Sequence, residues 1–146
     1  MNYEIVEMKE KTIVGVNATT SNSAPDMGQV IGKLWTDLYQ GGVGATVKNK
    51  ANDYAIGLYS DYVGENYQVT VGYEVSKAEN AELTCKVIPA GRYAKFNIHG
   101  DAVQDVGNAW GEIWNMDLDR SYACDYEEYL TGDCKECDIN IYIALK

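Results

Sequence analysis

The order of predicted secondary-structure elements constrains the fold most, because it is the same in both halves of the chain. Strand, strand, helix, strand, strand is predicted in residues 1–76 and again in residues 77–146. Strands are predicted where β-branched and aromatic runs lie between turn signals, at residues 3–8, 12–18, 55–62, 67–75, 83–88, 92–98, 122–130 and 139–145. Such a duplication predicts an α+β fold with a pseudo-twofold axis near which matching strands meet.

Each predicted helix has one apolar face with helical spacing. The first face is formed by Met27, Val30, Ile31, Leu34, Trp35 and Leu38. The second is formed by Val103, Val106, Ala109, Trp110, Ile113 and Trp114. Ser23 and Asp26 resemble a capping box before the first helix, and Asp101 can cap the second.

The two halves also align residue by residue, although few residues are identical. Trp35 aligns with Trp110, and Tyr59 aligns with Tyr129. In the same alignment Gly57 and Gly72 take the places of Glu127 and Tyr142, so we expect the glycines to leave space where the second half has side chains.

Charge excludes several classes of function. The 146 residues hold 12 basic and 22 acidic side chains, a net charge of −10. Binding to nucleic acid or to anionic membranes needs clustered basic residues, so neither partner is expected. The apolar runs are too short for a membrane span, and the charged start of the chain does not resemble a signal peptide. We therefore expect a single cytoplasmic domain.

The segment 125–129 contains the candidate site residues. Side chains alternate along a strand, so Glu127 and Tyr129 share one face. On the last strand Asn140 and Tyr142 share one face, and the isoleucines that would pack under the helices are on the other face. If Glu127 and Tyr129 face the same way as Asn140 and Tyr142, one carboxylate lies among several tyrosines.

Such a site suits a flat, lipophilic cation, held by cation–π contacts and one carboxylate. The alternative is that these residues form the solvated face of an antiparallel sheet. Trp35 and Trp110 take equivalent places in the two halves, so they either flank this candidate binding site or belong to the core. Trp114 is expected in the core.

The four cysteines give weak signals. Cys134 and Cys137 form a C-x-x-C, which Cys124 could approach if the last two strands pair. His99 is the only histidine, so a four-ligand zinc site has little support, and we expect reduced thiols with no metal or cofactor.

Several motifs resemble the GyrI-like, AraC-type effector-binding domains over nearly the whole chain. They are residues 87–96, the helix 109–114, the segment 125–129 and the ending 141–145. Residues 2–6 and 57–62 look closest to stand-alone integron-cassette effector-binding proteins. The resemblance implies a duplicated βαββ unit that forms one curved antiparallel sheet with two helices, and a ligand groove on the pseudo-twofold axis.

The resemblance also implies a buried glutamate, which matches Glu127 in an aromatic-Glu-x-Tyr motif. Some relatives have a second acid where this chain has Asn140, which puts strong affinity for dications in doubt. The implied ligand-binding residues are Glu127, Tyr129, Tyr59, Tyr142, Asn140, Gly57, Gly72, Trp35 and Trp110.

The main functional hypothesis is a binder of small apolar or cationic compounds that senses or sequesters them, with no residues left for a DNA-binding module. One alternative is a hydrolase of cyclopropane-bearing alkylating compounds, in which Glu127 activates water beside a tyrosine. Another is a module that binds an unknown protein partner, as gyrase inhibitors do.

Overall fold

The computed structural model describes residues 2–77, 83–130 and 136–146. The strands are β1 (Glu4–Met8), β2 (Lys11–Ser21), β3 (Lys50–Val63), β4 (Asn66–Val75), β5 (Thr84–Ile88), β6 (Gly91–Gly100), β7 (Arg120–Tyr129) and β8 (Cys137–Leu145). The helices are α1 (Met27–Tyr39), α2 (Val43–Thr46) and α3 (Gln104–Trp114). Every predicted strand and both predicted helices are present, and the short α2 is an addition.

All eight strands form one antiparallel sheet in the order β1-β6-β8-β7-β3-β4-β2-β5. This order is symmetric about its centre, since each strand and its counterpart in the other half lie equally far from the β7–β3 pair. The edge strands are exchanged between the halves, because β1 pairs with β6 and β5 pairs with β2. The predicted α+β fold with duplicated units and a pseudo-twofold axis is confirmed.

The axis passes between two residues that the repeat alignment makes equivalent. In the β3–β7 ladder Gly57 lies directly opposite Glu127, and Ala55 lies opposite Tyr129. A carboxylate therefore projects from the middle of the sheet, while its symmetry mate has no side chain.

The two faces of the sheet are both packed. On one, which we call the helix face, α1 packs on residues such as Val71 and α3 packs on residues such as Ile141. The sheet curves into a half-barrel, so its strands also enclose a third cluster on the opposite face. That cluster is Ile13, Ile56, Leu58, Ile88, Tyr93, Cys124, Tyr126, Tyr142 and Ala144.

Of the two predicted helix caps, the structure contains the one before α3 and lacks the one before α1. Asp101 caps α3 as expected, because its Oδ1 accepts hydrogen bonds from the backbone amides of Val103 and Gln104, both at 2.8 Å. The capping box of α1 is wrong, since Asp26 makes no side-chain cap bond and the Ser23 hydroxyl donates to Glu65 instead. No helix in the described part of the chain is long and apolar enough to cross a membrane.

Candidate ligand-binding site

Glu127 lies at the centre of the sheet on the helix face, and its side chain is buried among neutral donors. The Tyr129 hydroxyl donates to Oε1 at 2.7 Å. The Trp110 indole N–H donates to Oε2 at 2.7 Å, and the Tyr59 hydroxyl donates to the same oxygen at 3.2 Å. Donors from both halves of the chain thus bond the same carboxylate, that of Glu127.

The aromatic rings around Glu127 follow the pseudo-symmetry. Trp35 of α1 contacts Tyr129 edge-on, with ring centroids 5.0 Å apart. The equivalent pair, Trp110 of α3 and Tyr59, is also edge-on at 5.7 Å. Edge-to-face packing fixes the direction of these side chains, so the donors are preorganised around the carboxylate.

The electrostatics of Glu127 are unusual for a buried acid. Burial raises the pKa of Glu127, and the bonds from Tyr129, Trp110 and Tyr59 offset part of that effect. Burial and the Glu127 charge also raise the pKa of the Tyr59 and Tyr129 hydroxyls, which keeps them as donors. Among the described residues no basic side chain forms an ion pair with Glu127.

A cavity of about 660 Å³ opens beside this carboxylate, between α1, the β3–β4 hairpin, α3 and the start of β7. Its aromatic lining residues are Tyr59, Tyr62, Tyr67, Trp110, Trp114 and Tyr122. Tyr59 and Trp110 form part of the wall while their polar atoms point to Glu127, so the carboxylate lies directly behind the lining. A cavity of this size with six aromatic lining residues fits a drug-sized organic molecule.

One acid in the cavity wall, Asp125, was missed by the sequence analysis. Asp125 is buried, and its Oδ2 accepts from Arg120 Nη2 at 2.6 Å and from the Tyr62 hydroxyl at 2.5 Å. All three residues line the cavity. Strand alternation could have found Asp125, because it lies two residues from Glu127 on β7 and therefore on the same face.

The expectation that Asn140 and Tyr142 share a face with Glu127 is wrong. Residues directly opposite each other on paired strands share a face, and Glu127 lies opposite Ile141 in the β7–β8 ladder. Asn140 and Tyr142 instead lie opposite Glu128 and Tyr126, on the other side of the sheet. They are not among the residues that line the cavity beside Glu127.

Glu128 belongs to this opposite face and has a basic partner. Its Oε2 lies 3.7 Å from the Lys11 ammonium group. The Asn140 amide donates weakly to its Oε1 at 3.4 Å. Lys11 also lies 3.7 Å from Glu74 Oε1, so Glu128 and Glu74 share this cation within the protein.

The expectation that Gly57 and Gly72 leave open space is also wrong. A Cβ on Gly57 would lie 3.2 Å from Glu127 Oε1 and 3.2 Å from Trp35 Cζ2, so side chains already fill that space. Gly72 lies on the opposite face beside Gly15, where a Cβ would be 2.0 Å from the Val14 carbonyl oxygen. These glycines allow close packing at two different places.

The three tryptophans separate into three environments. Trp110 lines the cavity and bonds Glu127, whereas Trp35 packs against Gly57 and Tyr129 and is not among the lining residues. The expected core position of Trp114 is wrong, because this side chain is 56% exposed and lines the cavity. Trp114 extends the aromatic wall begun by Trp110.

The cysteines that the structure describes do not converge. Cys124 packs in the cluster on the opposite face, while Cys137 packs under α3 on the helix face. Burial raises the pKa of the Cys124 thiol to about 11. Cys134 lies outside the described residues, and within the described ranges no three of His, Cys, Asp and Glu could hold a metal ion.

A curved antiparallel half-barrel with two helices over a central aromatic site is the architecture of an effector-binding domain. The chain belongs to the Cass2 family of integron-associated effector-binding proteins, whose family model matches residues 4–145. The resemblance found in the sequence is confirmed. No curated protein sequence matches the chain.

Solved structures show the same fold at low sequence identity. SAV2435 bound to tetraphenylphosphonium superimposes with a TM-score of 0.86 and 20% identity, covering 100% of this chain and 94% of that one. An integron cassette protein of Vibrio cholerae superimposes with a TM-score of 0.79 and 24% identity, covering 99% of this chain and 95% of that one. A bacterial transcription regulation protein of Staphylococcus aureus gives 0.78 and 20%, covering 100% and 99%.

Proposed function

We propose that this protein binds lipophilic organic monocations in the cavity beside Glu127, as a sensor or a sequestering protein. The observation that carries the proposal is the buried Glu127 carboxylate, which neutral donors hold next to an aromatic cavity. A desolvated carboxylate without a basic partner attracts a nearby cation more strongly than a surface carboxylate does.

The cavity lining supports the same ligand class. Aromatic faces bind organic cations through their quadrupole, and Tyr59, Trp110 and Trp114 are among the rings that line the cavity. The similar fold of SAV2435 holds tetraphenylphosphonium, a lipophilic monocation. Charge and shape thus favour delocalised cations over neutral or anionic compounds.

The geometry favours binding over hydrolysis. Both Glu127 oxygens already accept hydrogen bonds, from Tyr129 on one side and from Trp110 and Tyr59 on the other. To act as a general base the carboxylate would have to release one of these donors to a water molecule. A binder needs no such rearrangement.

The test is a titration with a matched pair of probes. Tetraphenylphosphonium carries one positive charge, while triphenylphosphine oxide is neutral and presents similar phenyl rings. Quenching of Trp110 and Trp114 fluorescence should show the cation binding at least about tenfold more tightly, on the scale of one charge-assisted contact. Equal binding of the two probes would contradict charge recognition, and no quenching by either would rule out the cavity as the site.

A further inference from the structure

The Arg120–Asp125 pair occupies one wall of the cavity in an arrangement that resembles a bound cation. The guanidinium lies over the Tyr122 ring, 4.4 Å from its centroid, and Nη2 contacts Asp125 Oδ2 at 2.6 Å. The Tyr62 hydroxyl bonds the same oxygen. A carboxylate with two tyrosines is the kind of environment that binds organic cations, and here the protein's own arginine fills it.

We propose that Arg120 is an internal occupant of a second cation subsite and thereby limits the cavity to ligands with one positive charge. This inference rests on the proposed function of the Glu127 site. Asp125 and Glu127 lie on the same face of β7, two residues or about 7 Å apart along the strand. Without Arg120 the cavity would have the Asp125 carboxylate in its wall and the Glu127 carboxylate directly behind it, and this spacing suits a compact dication.

Because the Arg120–Asp125 pair is buried, the Arg120 charge strongly affects which ligand charges the cavity accepts. The Asp125 side chain is 1% exposed and that of Arg120 is 15% exposed, so water screens their interaction little. The cavity's other acidic lining residue, Glu65, is exposed and bonds the Ser23 hydroxyl at the rim. Solvent screens Glu65, which leaves Asp125 as the acid whose pairing sets the charge preference.

Ethidium and propidium test this inference, because they share a phenanthridinium ring and propidium carries an additional quaternary ammonium. Both are titrated by fluorescence against the wild type and the Arg120→Gln variant at pH 8, where Asp125 is more readily ionised. The ratio of propidium to ethidium affinity should rise at least about tenfold in Arg120→Gln, the scale of one buried charge pair. Arg92→Gln makes the same charge change at an exposed position away from the cavity and should leave the ratio unchanged.

The double variant Arg120→Gln/Asp125→Asn should return the ratio to that of the wild type, because no second carboxylate remains. If Arg120→Gln does not fold, Asp125→Asn alone decides, since an unpaired Arg120 should repel propidium more than ethidium and lower the ratio. A ratio unchanged by the variants that fold overturns the inference while ethidium binding still supports the proposed function. A wild type that binds neither dye overturns both.

Discussion

Glu127 and Glu128 are neighbours on β7, but their carboxylates lie on opposite faces of the sheet and in opposite surroundings. Glu127 lies on the helix face and accepts hydrogen bonds from Tyr129, Trp110 and Tyr59. Glu128 lies on the opposite face with Lys11 at 3.7 Å. In the part that the structure describes, one carboxylate has only neutral donors, and the other has a cation within ion-pair distance, which it shares with Glu74.

The difference separates a structural acid from a binding acid. An unpaired buried charge lowers the free energy of unfolding unless a partner compensates it. Lys11, which Glu128 shares with Glu74, compensates part of the Glu128 charge within the fold, so that face can be closed and packed. The free-energy cost of burying the Glu127 charge remains in the unliganded protein, and a bound cation would offset it. The two faces can therefore be told apart by substitutions that are chemically alike.

The largest expected effect distinguishes the two faces by packing. Gly72→Ala on the opposite face should lower the free energy of unfolding by about 3 kcal/mol or more, because its Cβ would overlap the Val14 backbone oxygen at 2.0 Å. Gly57→Ala on the helix face should cost only about 1 kcal/mol, since it meets side-chain atoms at 3.2 Å. Urea unfolding monitored by circular dichroism measures both, and equal costs would contradict the packing described here.

The second prediction compares the two acids. Glu127→Gln keeps the side-chain shape and removes the charge, so tetraphenylphosphonium affinity should fall by about 1–3 kcal/mol. Glu128→Gln changes an acid on the opposite face and should leave that affinity nearly unchanged. Isothermal titration calorimetry checks both variants.

Two results would contradict that comparison. Equal losses in both variants would contradict the assignment of the two faces. No loss in either would show that the Glu127 charge does not contribute to cation binding. Triphenylphosphine oxide serves as the neutral control, because its binding should not distinguish Glu127→Gln from the wild type.

These comparisons show what the sequence could predict. Alternation along β7 correctly predicted that Glu127 and Tyr129 share a face, because it depends on one strand alone. It could not relate them to Asn140 and Tyr142, since that depends on the pairing register of β7 with β8. A shift of one residue in that register exchanges the faces, and no local motif fixes it.

Other site features depend on long-range packing in the same way. The repeat alignment made Gly57 equivalent to Glu127 but could not show that they pair across the axis. The pairing of Arg120 with Asp125 depends on the irregular start of β7, where the register shifts and Tyr122 has a positive φ of 59°. The apolar spacing of α3 predicted Trp114 as core because it cannot show where the sheet beneath the helix ends.

The third prediction concerns how cation affinity depends on pH through the ionisation of Glu127. Burial raises the pKa of Glu127 above its ordinary value of 4.5, so the folded protein holds this proton to a higher pH than a free glutamate does. A cation favours the ionised form, and tetraphenylphosphonium affinity should therefore increase as pH rises above 4.5, by at most about tenfold per pH unit. The affinity should become constant once Glu127 is ionised.

The control for the pH profile is Glu127→Gln, which should lose most of the slope. Asp125 also lines the cavity, and burial raises the pKa of its carboxyl although Arg120 opposes the shift. Any slope that remains in Glu127→Gln is assigned to Asp125 and should disappear in the double variant with Asp125→Asn. A full slope in Glu127→Gln would show that another group controls binding.

The smallest expected effect compares the two symmetry-related tyrosines. Tyr129→Phe removes the 2.7 Å bond to Glu127, and Tyr59→Phe removes the 3.2 Å bond. Each hydroxyl stabilises the ionised carboxylate, so its loss should raise the pKa of Glu127 and weaken tetraphenylphosphonium binding on the rising part of the pH profile. We expect about 1 kcal/mol for Tyr129→Phe and less for Tyr59→Phe, because the longer bond is weaker. Tyr142→Phe, on the opposite face, should change nothing in this assay. If Tyr59→Phe costs more than Tyr129→Phe, the cavity-lining hydroxyl touches the ligand itself, and the two halves contribute to binding differently from their contribution to holding the acid.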